Sequence, residues 1–317
     1  MQAVFGTMVF GDLIERYPYF VRTSEFLEKS SFFFKKTLQR IRILHPNYEW
    51  AEKTCRDAFE LCGRDWQAYL GNAYKLVDFS VEFLRLQALL EKTGRYYCAN
   101  FREVEEKVYN NKDRTLRGAP YMWALYFSQV FWETHHRVFK FFLSDFVSTK
   151  QEQGHALEVP LGTGIFVTHF LLGNRLWKGV GVDLGDTAID FTKSLLALNN
   201  IGPTRMTVLK EDLYRYKSDF GYERIMCGEF LEHVEDPLAA LKKLHSLLNP
   251  KGKVFVTVAV WASMIDHIFL YKSAEEVRAH IRAADFTIEK ELVQNVFESG
   301  RPEQKKTPIN YCAILSK

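Results

Sequence analysis

The run Leu157-Glu-Val-Pro-Leu-Gly-Thr-Gly164 closes a short apolar stretch in a tight turn, and an apolar-periodic segment through Ile165, Phe166, Phe170, Leu171 and Leu172 follows at once. A strand that runs through a glycine turn into a helix is the opening unit of a βαβ fold with a mainly parallel sheet. Glycine at 162 and 164 allows a sharp turn and lets a ligand approach with no Cβ in the way, while the helix start presents unpaired N–H groups. A Gly-x-Gly pair alone is a weak motif. Its position between a strand and a helix gives it meaning.

From about Gln151 onward the same grammar repeats, with strands expected at 155–159, 179–183, 206–210, 224–227, 254–260, 287–292 and 309–315. Helices are expected near 165–176, 187–199, 237–248 and 275–283, and the polar stretch from Glu298 to Lys306 reads as a loop. The second strand ends at Asp183, 19 residues after Gly164. Dinucleotide-type folds place there the carboxylate that accepts hydrogen bonds from ribose hydroxyls; a solvated strand end is the alternative. Pro160 stands at the first glycine position, and Gly162-Thr-Gly-Ile-Phe-Val167 lacks the third glycine that brings a helix close to a pyrophosphate. A nicotinamide dinucleotide is therefore disfavoured.

Before about Phe146 the apolar residues recur at helical spacing, as in Phe26-Leu27, Phe33-Phe34, Leu38 and Ile41 or in Leu76, Phe79, Phe83-Leu84 and Leu90. Breaks are expected at His45-Pro46-Asn47, Cys62-Gly63, Thr93-Gly94 and Arg117-Gly118-Ala119-Pro120. Residues 1–118 form one helical unit in this reading, 119–150 a connecting aromatic helix, and 151–317 the α/β domain. The connecting segment is apolar nearly all round, which predicts burial on several sides; Tyr121, Trp123 and Tyr126 are candidates to line a substrate pocket as well.

Composition narrows the class. Lys and Arg total 42 against 39 Asp and Glu, a net charge of +3 that disfavours a nucleic-acid partner. The five cysteines are scattered without a CxxC pair or zinc spacing, so reduced thiols are expected and a metal is not. No apolar run is long enough to span a bilayer, and the N-terminus has no secretory pattern, so a cytoplasmic protein is expected.

Taken together, Glu158-Val-Pro-x-Gly-Thr-Gly164, Val-Gly-Val-Asp183, Lys210-Glu-Asp212 and Gly228-Glu-Phe-Leu-Glu-His-Val-Glu-Asp-Pro237 resemble the class I S-adenosylmethionine-dependent methyltransferases. The similarity is to the small-molecule branch that includes the quinone-biosynthesis C-methyltransferases, and it covers about residues 150–317. It implies a Rossmann-like seven-stranded sheet in the order 3-2-1-4-5-7-6, last strand antiparallel, preceded by the all-helical region. It also implies S-adenosylmethionine as cofactor and S-adenosylhomocysteine as product. Glu158, Pro160, Gly162, Thr163 and Gly164 would hold the methionine moiety, Asp183 with Leu184 the ribose, Asp212 and Leu213 the adenine, and Glu229 with Phe230 would close the site.

Methyl transfer from a sulfonium needs alignment, exclusion of water and, for some acceptors, removal of a proton. His233, after the fourth strand, is a candidate base or a helix-capping residue. Asp266 and His267 emerge after the fifth strand, where this family supplies substrate contacts, and this adjacent carboxylate and imidazole are candidate catalytic residues, to handle a proton or orient the substrate; a surface turn before a cap at Ser273-Ala-Glu-Glu276 is the alternative. Trp261 is a further candidate substrate contact. No Asn/Asp-Pro-Pro-Tyr and no Pro-Cys pair occurs, which points to a small-molecule acceptor on carbon, oxygen or nitrogen. The helical region is expected to be a lid or acceptor-binding domain, with homodimer formation as a further use. Lys35, Lys36, Arg40 and Arg42 are either a solvated face or a patch for an acidic carrier protein bearing the substrate. Two other readings stay open: a cofactor-binding protein without methyl transfer, and an enzyme whose helical half recognises protein or RNA.

Overall fold

The computed structural model describes residues 10–44, 48–110, 118–148, 152–297 and 306–317. The expected break at 45–47, Arg117 in the later break, and nearly all of the 298–306 loop lie outside the described residues.

Nine helices precede the sheet among the described residues: α1 (Phe10–Arg16), α2 (Pro18–Ser30), α3 (Phe32–Leu44), α4 (Glu49–Leu61), α5 (Trp66–Ala73), α6 (Lys75–Thr93), α7 (Phe101–Val104), α8 (Ala119–Phe131) and α9 (Glu133–Phe141). Helix α7 runs into the π-turn Glu105–Tyr109 and α9 into Phe142–Val147. Local chemistry sets several ends. The Asp65 carboxylate accepts from Gln67 N–H at the start of α5, and Gly94 takes the left-handed conformation, φ 69°, that closes α6. The aromatic segment is two helices meeting at Trp132, whose extended backbone (φ −98°, ψ 119°) breaks the helical path. Of the basic residues at 35–42, Lys35 and Lys36 are exposed and Arg40 pairs with Glu133 at 3.2 Å; the Arg42 side chain lies outside the described residues.

The sheet comprises β1 (His155–Glu158), β2 (Lys178–Asp183), β3 (Met206–Lys210), β4 (Tyr222–Cys227), β5 (Leu248–Val260), β6 (Thr287–Asn295) and β7 (Ile309–Ser316), in the order β3-β2-β1-β4-β5-β7-β6. Strands β1 to β5 pair in parallel; β7 runs antiparallel to β5 and β6. Helices α10 (Ile165–Gly173), α11 (Asp186–Leu198), α12 (Pro237–Leu247) and α13 (Ala274–Ala283) complete the fold. Asp236 caps α12 through Ala239 N–H, and Ser273 caps α13 through Glu276 N–H.

Alternate residues of the central strands serve two cores, as a period of two requires. Val254, Val256 and Val258 of β5 pack with Leu241 and Leu244 of α12, whereas Phe255 faces the opposite layer. There Phe142 and Phe166 lie 5.0 and 5.4 Å from the Phe255 ring, so the helical region and the sheet share a core. The five cysteines, four of them buried and Cys62 half-buried, form no disulfide. No helix among the described residues is long and apolar enough to cross a membrane.

The second link is polar. Buried Gln87 on α6 donates to Trp261 carbonyl at 3.0 Å and accepts from Ser263 N–H at 3.0 Å, and Tyr96 hydroxyl donates to Ala262 carbonyl at 3.0 Å. Gln87→Ala strands both backbone groups, each of which is worth about 1–3 kcal/mol when buried without a partner. Urea denaturation should show about 2–4 kcal/mol lower stability than wild type; a change within 0.5 kcal/mol would mean that this bridge does not anchor the loop.

Candidate active site

A cavity of about 1570 Å³ opens at the carboxyl ends of β1 to β4 and runs beneath α6, α8 and α9. Open α/β sheets hold ligands at these strand ends. Single-ligand pockets span about 300–1,000 Å³, so the cavity has room for two molecules side by side.

One end is polar and is built by two loops. Gly162 has φ 51°, and no atom lies within 4 Å of where a Cβ would stand. Gly164 has φ 67° and is closed in: an added Cβ would meet Thr192 Cγ2 at 2.5 Å. The first glycine leaves room for a ligand; the second lets the turn pack on α11. Between the loops, Asp183 Oδ2 accepts from Gly162 N–H at 3.1 Å and Oδ1 from Gly185 N–H at 2.8 Å. Burial raises the Asp183 pKa, with these backbone donors opposing. A carboxylate offers about four lone-pair sites, so Asp183 keeps capacity for a pair of ligand hydroxyls. Asp212, at the end of β3, accepts from Tyr214 N–H at 2.6 Å and lines the cavity with Leu184 and Leu213. The opened glycine turn, the strand-tip carboxylate and the flanking leucines suit a nucleoside with an amino-acid tail, as S-adenosylmethionine has.

Glu158 is buried, and its Oε2 accepts from Val167 N–H at 3.0 Å, tying β1 to the first turn of α10. Burial pushes its pKa well above the ordinary 4.5. Glu229 sits at φ 45°, a left-handed conformation unusual for a side chain with a Cβ, with its N–H given to Thr257 Oγ1 at 2.8 Å. That backbone turn brings Glu229 and Phe230 to the cavity edge.

The other end is apolar, walled by Phe79, Phe83, Tyr121, Leu125, Trp132 and Met264, with Gln129 and His135 as polar points. His233, Asp266 and His267 meet in the cavity wall. His233 Nδ1 lies 3.1 Å from Asp266 carbonyl, His267 Nδ1 lies 2.9 Å from Ala262 carbonyl, and the two rings are 4.8 Å apart. Carbonyl oxygens only accept, so both Nδ1 atoms carry hydrogen. Burial, then the neighbouring His233, drives the His267 pKa well below the ordinary value, so it is neutral.

Every expected cofactor residue except Gly164 lines this cavity, as do His233, Asp266, His267 and Tyr121. Trp123, Tyr126 and Trp261 are not among its lining residues. Trp123 packs on Phe191 and Phe127, and wholly buried Tyr126 reaches Thr54 carbonyl at 3.4 Å; an aromatic helix buried on all sides turns only one edge to a cavity. Trp261, at φ 50°, directs its backbone to Gln87 and Tyr271, while Lys306 covers its ring at 4.3 Å. Gln129 and His135, which also line the cavity, were not legible as site residues, because helical periodicity places polar residues without saying what they face.

A family model described as a methyltransferase domain matches residues 131–291. The ubiquinone biosynthesis O-methyltransferase of Neisseria meningitidis serogroup C (strain 053442) is 25% identical over 75 residues, 24% of this chain and 32% of that protein. The chain thus spans about a third of the length of the curated relatives it matches. Among solved structures, mitomycin 7-O-methyltransferase aligns with a TM-score of 0.50 at 11% identity, covering 74% of this chain and 68% of that one. That likeness is one of fold.

The buried carboxyl of Glu158 makes stability depend on pH. Its folded pKa is raised above the unfolded value, so the stability it contributes is present at low pH and is lost as pH rises from about 4.5 through the folded value. Gln at 158 still accepts from Val167 N–H and does not ionise. The stability difference between Glu158→Gln and wild type, from urea denaturation at pH 5 to 8 (about the range in which native proteins are most stable), should grow in favour of the variant as pH rises. Parallel profiles would contradict this.

Proposed function

The chain belongs to the methyltransferase domain family as a class I S-adenosylmethionine-dependent enzyme, and we propose that it methylates a small apolar or aromatic metabolite held under the helical region. The observation that carries this reading is the division of one cavity into a polar end at Asp183 and an apolar end walled by α6, α8 and α9. A donor and an acceptor are thereby brought together without bulk water between them.

When bound, S-adenosylmethionine supplies an electrophilic methyl group on a sulfonium, taken up by in-line displacement. The protein's part is to bind, align and shield. In this proposal Asp183 accepts from the ribose hydroxyls, with Leu184 beside them. Asp212 receives the adenine amino group and Leu213 packs on the ring. The Pro160-to-Gly164 turn, Thr163 included, bounds the methionine end, and Glu158 holds that turn against α10. Glu229 and Phe230 close the site toward the acceptor.

In this proposal His233 and His267 act through Nε2. Each has its Nδ1–H committed to a carbonyl, which leaves Nε2 as the acceptor atom. Burial, then the neighbouring His233, holds the His267 pKa well below the ordinary value, which favours its neutral form and a role in orienting an acceptor group. Tyr121 is proposed as an acceptor contact; Trp123, Tyr126 and Trp261 support the wall from behind.

The relatives' names favour an oxygen acceptor, since both the ubiquinone-biosynthesis relative and the mitomycin enzyme are O-methyltransferases. Transfer of labelled methyl groups across phenolic, enolic, amine and carbon acceptors, and across carrier-bound, peptide and RNA acceptors, tests the proposal. Small hydroxylated aromatics should be methylated, and Asp183→Ala should weaken S-adenosylhomocysteine binding by at least about 10²-fold, roughly 2.7 kcal/mol. Labelling confined to the carrier, peptide or RNA arms would overturn the acceptor class. Unchanged binding by Asp183→Ala would overturn the cofactor assignment.

A further inference from the structure

Glu232, His233 and His267 each bring one ligating atom within 4.8 Å of the others, although His267 lies 34 residues beyond His233 in the chain. The turn after β4 is stitched to the loop after β5 by the Glu232 carbonyl, which accepts from Ile268 N–H at 2.8 Å and Phe269 N–H at 3.0 Å. Their proximity follows from a fixed piece of backbone.

The chemistry of the cluster is that of a ligand set. Both imidazoles give Nδ1–H to backbone carbonyls, Asp266 for His233 and Ala262 for His267. Such a second hydrogen bond fixes the tautomer and orientation of metal-binding histidines and leaves the Nε2 lone pair for the metal. Glu232 is fully buried; its Oε1 accepts from Ala259 N–H at 3.2 Å, and its Oε2 has no hydrogen-bond partner. Asp266, 6% exposed, likewise has Oδ1 buried without a partner. Among the described residues, no lysine or arginine pairs with Glu229, Glu232 or Asp266. A buried carboxylate with no cation beside it takes up a proton, as burial and then the neighbouring Glu229 favour for Glu232, and a bound cation would take that proton's place.

We propose that Glu232, His233 and His267 bind a divalent cation at the cavity wall. Two imidazole nitrogens with carboxylate oxygen suit a first-row transition ion such as Mn²⁺, Fe²⁺ or Zn²⁺ better than Mg²⁺, which prefers an all-oxygen shell with several waters. His233 and His267 line the cavity, so positions not filled by protein face it. There the cation would hold an oxygen of the acceptor as a Lewis acid, in place of direct contacts from the two Nε2 atoms. This last step rests on the methyl-transfer reading; cation binding itself does not.

The test is Mn²⁺ titration of chelator-treated full-length protein, followed by water-proton relaxation, with S-adenosylhomocysteine binding measured on the same sample. One saturable Mn²⁺ site is expected, weakened by more than about 100-fold in His233→Ala and His267→Ala, beyond the 10–100-fold that loss of an outer-shell partner produces. His245→Ala, a histidine outside the cluster, should bind as wild type does. If the buried His267 variant does not fold, partly exposed His233 and the wild-type titration still decide the matter. Folded wild type without a saturable site, or equal binding by wild type and His233→Ala, would overturn the proposal. If cation binding fails while S-adenosylhomocysteine binds, only this inference falls; the reverse result overturns the cofactor assignment and leaves the cation site standing.

Discussion

Asp183 binds two loops into one rim. Its two oxygens take N–H groups from Gly162, in the loop after β1, and from Gly185, in the loop after β2. Without them a carboxylate this shielded would be held only by its remaining backbone contacts, since burial already works against its charge. The backbone donors make the charge tolerable, and the charge in turn fixes the spacing of the loops. Everything at the polar end of the cavity follows from that spacing: the open flank of Gly162, the tight seat of Gly164 against Thr192, and the position of Leu184.

The helical region completes what the sheet begins. The sheet alone would leave the strand ends facing solvent, and a methyl donor there would meet water as readily as an acceptor. Helices α6, α8 and α9 roof the strand ends, and their attachment is both apolar and polar. Phe142 packs between Phe166 and Phe255, while Gln87 and Tyr96 hold the loop that carries Asp266 and His267. The same helices therefore shape the acceptor end and position the residues that face it.

Much of this was legible in the sequence, for physical reasons. Strands buried on both faces read as short apolar runs, and all seven expected strands are present, six with ends within three residues of those expected and β5 beginning six residues earlier, at Leu248. Asp183 was legible because a strand tip lies at a set distance from the turn before it. The helical region was harder. Trp132 breaks the aromatic segment without glycine or proline, and Ser31 separates α2 from α3 within one continuous apolar stripe. Which aromatic rings face a cavity is a tertiary property: Tyr121 does so, while Tyr126, five residues on in the same helix, is wholly buried. The gathering of Glu232, His233 and His267 depends on the turn after β4 meeting the loop after β5, and no local spacing records that meeting.

The central claim is that the polar end of the cavity, organised by Asp183, is the cofactor site, and co-crystallisation with S-adenosylhomocysteine tests it most directly. The account expects density with the ribose hydroxyls within hydrogen-bonding distance of the Asp183 carboxylate and the sulfur directed toward the apolar end beneath α8. Ligand density away from Asp183, or an Asp183 side chain whose ties to Gly162 and Gly185 are broken with no ligand hydroxyls in their place, would contradict it.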